Sequence, residues 1–203
     1  KPLAGLSHGV AGIAWPLLRL AAVTGDGRYR ETALRALDYE RSLYDPEKRN
    51  WPDLREGATL EDAAEPHFMW AWCHGAPGVG LGRLAGLPYL DDATVRAEIE
   101  TAVESTIEHG FGRNHGLCHG DLGNLEVVTL AAERMGRPDW GERAGRIAGG
   151  ILAGIRERGW LFGIPGRTEP PGLMTGLAGI GYGLLRLAAP ERVPSAVILE
   201  GAR

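Results

Sequence analysis

The sequence lacks several features by which whole classes of protein are recognised. It has two cysteines in 203 residues, which excludes a secreted domain held by several disulfides and favours reduced thiols. No apolar run reaches the roughly 20 residues that a membrane-spanning helix needs. The net charge is -4 and no basic stretch dominates, which argues against nucleic acid as a partner. Reduced thiols favour a cytoplasmic protein, and the opening KPLAGLSHG lacks the pattern of a signal peptide.

The start of the chain also lacks an initiator methionine and lies close to a motif, GLSHG. We therefore expect this chain to be part of a longer protein. Its 203 residues suffice for one domain with a buried core, and we predict a single domain over 1–203.

Glycine, in contrast, is abundant, and its 31 residues occur in clusters that recur. Four segments share a small or polar residue, then a glycine, then an apolar run rich in Leu, Ala and Gly. They are 5–25, 72–86, 118–136 and 172–190. Their spacing leaves room for two helices in each repeat.

The three segments between these repeats have more charge and the pattern of amphipathic helices. They are 27–43, 91–109 and 138–157. No segment shows the alternation typical of strands. The pattern therefore predicts an all-α protein, an (α/α) toroid or solenoid with Gly-rich inner helices and amphipathic outer helices.

In such a repeat, every inner helix begins at the same end of the barrel. The residues just before each inner helix should then meet at a common rim. They are Ser7-His8, Trp72-Cys73-His74, Cys118-His119 and Met174-Thr175, which include both cysteines and three of the six histidines. The long connecting segments 44–71 and 159–171 are expected to cover a surface or line a groove.

Cys73, Cys118 and His119 combine the ligand types that zinc prefers. A catalytic zinc has three protein ligands and an open fourth position, at which it can activate a thiol. The alternative is that both cysteines are ordinary buried residues, because no CxxC pair is present. His74 and His115 flank the cysteines and compete with His119 for the ligand role.

His8 occupies the equivalent turn of the first repeat. It could be a general acid or base beside the metal, a fourth ligand, or a capping or core histidine. Asp121 follows the second cysteine turn, and its position predicts a helix cap.

The strings GLSHG, WCHGAPG, CHGDLGN and GLMTGLAGIGYGLLRL together resemble the lanthionine synthetase cyclases, the LanC-like family. The resemblance is strongest to the C-terminal cyclase domain of class II lanthipeptide synthetases, the LanM enzymes. It implies an (α/α) toroid, of which this chain would be the C-terminal half and thus a partial barrel. It further implies Zn²⁺ bound by Cys73, Cys118 and His119, with His8 as the catalytic acid–base residue.

The same resemblance implies an enzyme of lantibiotic biosynthesis, a lanthionine synthetase-type cyclase that forms C–S bonds. A peptide cysteine thiolate would add to dehydroalanine or dehydrobutyrine within a dehydrated precursor peptide, giving (methyl)lanthionine. The missing N-terminal half or a dehydratase domain would be a further partner. Met69 stands where some members carry an arginine.

Three alternatives remain at this stage. Some LanC-like proteins add glutathione to dehydroamino acids instead. A zinc-stabilised scaffold that binds peptide without catalysis is a second alternative. A sugar-processing (α/α) barrel is a third, but it needs paired carboxylates at the rim.

Overall fold

The computed structural model describes residues 1–55, 67–164 and 168–201. Parts of both long connecting segments, 56–66 and 165–167, lie outside the described residues. The helices are α1 (Val10–Thr24), α2 (Gly27–Ser42), α3 (Ala76–Gly86), α4 (Ala93–His109), α5 (Asp121–Arg134), α6 (Pro138–Arg158) and α7 (Leu177–Ala188). Every predicted helical segment matches one of these helices, with α6 ending one residue beyond the segment 138–157, so the all-α prediction is confirmed.

Two short strands, β1 (Pro52–Asp53) and β2 (His67–Phe68), form an antiparallel pair that the sequence did not predict. Each strand has two residues, which is too short for an alternating pattern to be visible. Asp53, in β1, pairs with His67 and is buried.

The chain packs as two compact units, Lys1–Ser105 and Thr106–Arg203. The first contains α1 to α3, the strand pair and most of α4, and the second contains the end of α4 and α5 to α7. The single domain over 1–203 stays a prediction. No helix within the described ranges combines the length and apolarity that crossing a bilayer requires.

In the first unit, the predicted contrast between Gly-rich and amphipathic helices is visible in burial. Every residue of α3 is buried. In α2, the buried positions are Ala33, Leu37 and Glu40, on one face of a helix that is otherwise charged. The Asp26 carboxylate accepts a hydrogen bond from the Arg28 backbone N–H at 3.0 Å and so caps the start of α2.

In the second unit, α5 is buried along most of its length, while α6 buries one face. Trp140, at the start of α6, is fully buried beneath the Arg137 guanidinium, which lies 4.1 Å from the ring centroid. The Gly-rich helices α1 and α7 differ from α3, because each also exposes large apolar side chains. Among these are Val23 on α1 and Leu185 on α7, which are 77% and 61% exposed.

A buried carboxylate holds the segment that leads into α1. Glu40 is 0% exposed. Its Oε1 accepts the backbone N–H groups of Gly5 at 3.0 Å and Ala11 at 3.2 Å. Its Oε2 accepts Arg83 Nη1 at 2.8 Å, and Arg83 Nε donates to Glu98 at 2.7 Å. Both the backbone and a buried cation of the first unit therefore depend on this one side chain.

Candidate metal centre

In the second unit, the turn that leads into α5 carries Cys118 and His119. Asn114 holds this turn with both ends of its amide. Its Oδ1 accepts the Gly116 N–H at 2.9 Å, and its Nδ2 donates to the His119 carbonyl at 3.0 Å. The Asn114 carbonyl also accepts the Asp121 N–H at 2.7 Å. The backbone on both sides of Cys118 and His119 is thus held by one residue.

The ring of His119 is oriented by a backbone carbonyl. His119 Nε2 lies 2.5 Å from the Gly163 oxygen. A carbonyl only accepts hydrogen bonds, so Nε2 carries the hydrogen and Nδ1 keeps its lone pair in the neutral ring. Such an outer hydrogen bond is the usual companion of a metal-binding histidine. This arrangement leaves Nδ1 as the ligand atom of His119.

Cys118 and His119 are both half-buried and interact with each other. The hydrogen bond with the Cys118 side chain raises the pKa of His119, and the Gly163 carbonyl raises it further against the effect of burial. A metal ion needs the thiolate and the neutral imidazole, so binding at this pair would release protons.

The segments 160–163 and 172–175 pack against this turn. The Met174 carbonyl accepts the backbone N–H groups of Leu117 at 3.0 Å and Cys118 at 2.8 Å. Leu161 exchanges two hydrogen bonds with His115, one of them from the Leu161 N–H to His115 Nδ1 at 3.0 Å. The described part of the segment 159–171 thus packs against the turn that carries Cys118 and His119, and His115 has a structural role there.

Asp121 does not cap its helix, and the prediction of a cap is wrong. It is the first residue of α5, and its carboxylate turns back to accept the N–H groups of Gly112 at 3.0 Å and Arg113 at 3.4 Å. Burial raises its pKa, although these two hydrogen bonds act in the opposite direction. Asp121 therefore stabilises the preceding loop.

In the first unit, the turn that leads into α3 carries Cys73 and His74. Asn50 holds it much as Asn114 holds the other turn. Its Oδ1 accepts the Ala76 N–H at 2.6 Å, and its Nδ2 donates to the Met69 carbonyl at 3.0 Å. Cys73 is in the thiol form and is 5% exposed. The described part of the segment 44–71 thus supports the cysteine turn.

His8 and His74 are brought together in the first unit. Their rings stack, with centroids 5.1 Å apart and planes inclined by 20°. His8 is exposed, while His74 is buried. Burial lowers the pKa of His74 to about 4, although Asp53 nearby acts to raise it. His74 is therefore neutral at physiological pH.

Asp53 lies behind His74, with Oδ1 3.7 Å from His74 Nδ1. Its carboxylate receives Arg55 Nε at 3.0 Å and Arg55 Nη2 at 2.7 Å. Burial raises the pKa of Asp53, but the hydrogen bonds from Arg55 outweigh it and hold the pKa below its ordinary value. Asp53 is therefore a buried, ionised carboxylate that is paired with the Arg55 guanidinium.

Cys73 lies in the first unit and Cys118 and His119 lie in the second, and these three described residues carry side chains that could serve as metal ligands. That one ion binds all three stays a prediction. Two thiols and one imidazole nitrogen suit zinc, which accepts both ligand types. The Nδ1 atom of His119, left open by the Gly163 contact, fits this role. His8, His74 and His115 do not belong to this group.

Comparison with known proteins supports the family resemblance that the sequence motifs indicate. The sequence profile of the lanthionine synthetase C-like proteins matches residues 1–198. The chain belongs to this family.

Three curated relatives of this LanC-like chain cover different parts of it. The lacticin 481/lactococcin biosynthesis protein LcnDR2 of Lactococcus lactis subsp. lactis is 26% identical over 199 residues, which are 92% of this chain and 20% of that protein. The nisin biosynthesis protein NisC of the same organism is 30% identical over 139 residues, 62% of this chain and 32% of NisC. Glutathione S-transferase LANCL1 of Danio rerio is 26% identical over 204 residues, which are 93% of this chain and 44% of LANCL1. The chain thus spans less than half of each relative.

A solved structure confirms the fold class. The chain is similar to nisin cyclase with a TM-score of 0.70 and 22% identity, over 93% of this chain and 47% of nisin cyclase. This likeness assigns the helices to the α/α toroid fold, as the repeats predict. It covers about half of that fold, in agreement with the expected partial barrel.

Proposed function

We propose that this chain is the zinc-binding part of a lanthipeptide cyclase that closes (methyl)lanthionine rings in a dehydrated precursor peptide. The observation that carries the proposal is the set of two cysteines and one histidine in a chain of the LanC-like family. The LcnDR2 and NisC relatives are named for the biosynthesis of lacticin 481/lactococcin and nisin, which favours a peptide substrate of that class.

In this proposal, Cys73, Cys118 and Nδ1 of His119 hold a zinc ion. Zinc bound there lowers the pKa of an incoming thiol and keeps it as a thiolate at neutral pH. Asn50 and Asn114 hold the backbone of the two cysteine turns. Gly163 orients the His119 ring through its carbonyl.

The reaction is an addition in which no atoms are lost. The substrate thiolate forms a bond to the β-carbon of dehydroalanine or dehydrobutyrine, the C=C bond opens, and the electron pair moves onto the carbonyl as an enolate. The α-carbon then takes up one proton, which balances the proton lost from the thiol. We assign this proton transfer to His8, because its imidazole is exposed at the turn before α1 and imidazoles exchange protons near neutral pH.

A dehydrated peptide with a single cysteine tests the proposal. The full chain, loaded with zinc, is incubated with this peptide and then with a thiol-alkylating reagent. Ring formation removes the free thiol at unchanged peptide mass, faster than in the absence of protein. With glutathione added, an adduct of peptide and glutathione would instead favour the activity named for LANCL1. Peptide binding with neither product would contradict the cyclase proposal and favour a scaffold.

Replacing His8 by asparagine is expected to lower turnover about 10²- to 10⁴-fold, the usual contribution of a general acid or base. Zinc content should not change, because His8 is not among the proposed ligands. Steady-state rates of ring closure and metal analysis measure the two effects. His109→Asn is the matched control, since this histidine is exposed at the end of α4. Equal turnover in the two variants would remove His8 from the mechanism.

A further inference from the structure

His74 is an unusual residue for a packed interior. It is 1% exposed. The Ala4 backbone and the Asp53 carboxylate are polar neighbours of its ring, but neither makes a hydrogen bond of ordinary geometry with a ring nitrogen. Burying a polar nitrogen without a partner costs stability. A phenylalanine would fill a similar space without that cost, so packing alone does not account for an imidazole here.

The position of His74 links a buried anion to an exposed histidine. On one side, Asp53 Oδ1 lies 3.7 Å from Nδ1, which is too long for a hydrogen bond but close enough to orient the ring by charge. On the other side, the His74 ring stacks on His8. Asp53 itself is held by Arg55. The row Asp53–His74–His8 therefore leads from the core of the first unit to its surface.

The backbone keeps the two histidine turns in close contact. Gly5 has a φ of +97°, and a Cβ atom at this position would lie 2.7 Å from the Cys73 oxygen and 2.9 Å from His74 Cα. Only a residue without a side chain can come this near. Glu40 holds the Gly5 N–H at 3.0 Å from the other side. The turn that carries His8 is thus pressed against the turn that carries His74, and the ring stack is a consequence of this contact.

We propose that His74 is a positioning residue: its buried ring, oriented by Asp53, is the surface on which the His8 imidazole is stacked and held in one orientation. The proposal rests on the acid–base role proposed above for His8. A stacked ring loses the rotations about χ1 and χ2 that an exposed histidine otherwise samples. His8 would therefore meet the substrate enolate in a single pose, which is the condition for efficient proton transfer.

The test compares His74→Leu with His74→Phe in the full zinc-loaded chain. Leucine removes the flat surface, while phenylalanine keeps it without the nitrogens. The first readout is the NMR spectrum of the His8 ring protons, assigned by their loss in His8→Asn. In His74→Leu these protons should lose the upfield shift of a stacked ring and move toward the positions of a free histidine. In His74→Phe they should stay upfield.

The second readout is kinetic. We expect His74→Leu to lower kcat about 10- to 100-fold, the cost of a misplaced catalytic group, with KM and zinc content unchanged. His74→Phe should recover most of kcat. Asp53→Asn removes the negative charge next to the His74 ring, so it should shift the His8 proton signals part of the way toward those of a free histidine. If circular dichroism shows that His74→Leu does not fold, Asp53→Asn provides the test instead.

The two proposals fail in different ways. If wild-type protein closes no rings but the His8 protons still shift in His74→Leu, the positioning of His8 holds and the proposed function fails. If rings are closed and His74→Leu leaves both the His8 protons and kcat unchanged, the positioning role is overturned. Loss of zinc with unchanged His8 protons would also overturn it, because His74 would then act only by supporting its neighbour Cys73.

Discussion

Replacing Cys118 by alanine is expected to abolish stable zinc binding. The change removes one of three proposed protein ligands and one of two thiolates, which carry most of the charge that offsets a divalent cation. The loss of affinity should exceed the roughly 10- to 100-fold that losing an outer-shell partner costs. After dialysis, the wild-type protein should retain about one zinc ion per chain, as expected of a three-ligand site. The variant should retain almost none.

Metal analysis by mass spectrometry and competition with a coloured chelator measure this directly. Cys73→Ala should behave in the same way, and the chain has no third cysteine to substitute for either. Gly163→Ala provides a graded comparison, because its Cβ atom would lie 2.6 Å from His119 Nε2 and would displace the ring. We expect it to weaken binding about 10- to 100-fold. Retention of one zinc per chain by Cys118→Ala would exclude the proposed ligand set.

Replacing Glu40 by leucine is expected to lower the free energy of unfolding by about 3 kcal/mol, the low end of the cost of breaking a buried ion pair, because Arg83 keeps Glu98 as a second partner. The Arg83 side chain, 2% exposed, would lose a hydrogen bond at 2.8 Å. The N–H groups of Gly5 and Ala11 would lose their acceptor as well. Urea denaturation followed by circular dichroism, at a fixed zinc concentration, measures the change.

Glu31→Leu is the matched control on the same helix. Glu31 pairs with Arg35, and both side chains are 70% exposed, so its removal should change stability by no more than about 0.5 kcal/mol. The double variant Glu40→Leu with Arg83→Met should recover part of the loss, because no unpaired charge then remains buried. If Glu40→Leu and Glu31→Leu are equally stable, the buried network does not contribute as described.

The helices were predictable because their signals are local. The segment 27–43 contains α2 at Gly27–Ser42, and the segment 138–157 matches α6 at Pro138–Arg158 to within one residue. Glycines mark the entry turns of the apolar helices, and charge marks the others. The ligand types were equally visible, since cysteines and histidines recur at equivalent turns of the repeat. The common rim at which these turns should meet stays a prediction.

The supports of the candidate site could not be predicted in this way. Asn50 and Ala76 are 26 residues apart in the chain, and polar residues occur in many loops, so nothing in the sequence identifies this pair. The contact of His119 uses the carbonyl of Gly163, and every residue has a carbonyl. Asp121 stands where a helix cap would stand, but the loop before it offers two unpaired N–H groups and the side chain pairs with those.

The entry turns of α1, α3 and α5 are each held by a side chain that has no proposed chemical role. The first is held by the carboxylate of Glu40 and the others by the amides of Asn50 and Asn114. The residues that hold the backbone of these turns are therefore different from the residues proposed to bind metal or transfer protons. We expect positions 8 and 118, which are exposed and half-buried, to accept other functional groups while the framework persists, so that reactivity can be redesigned one position at a time.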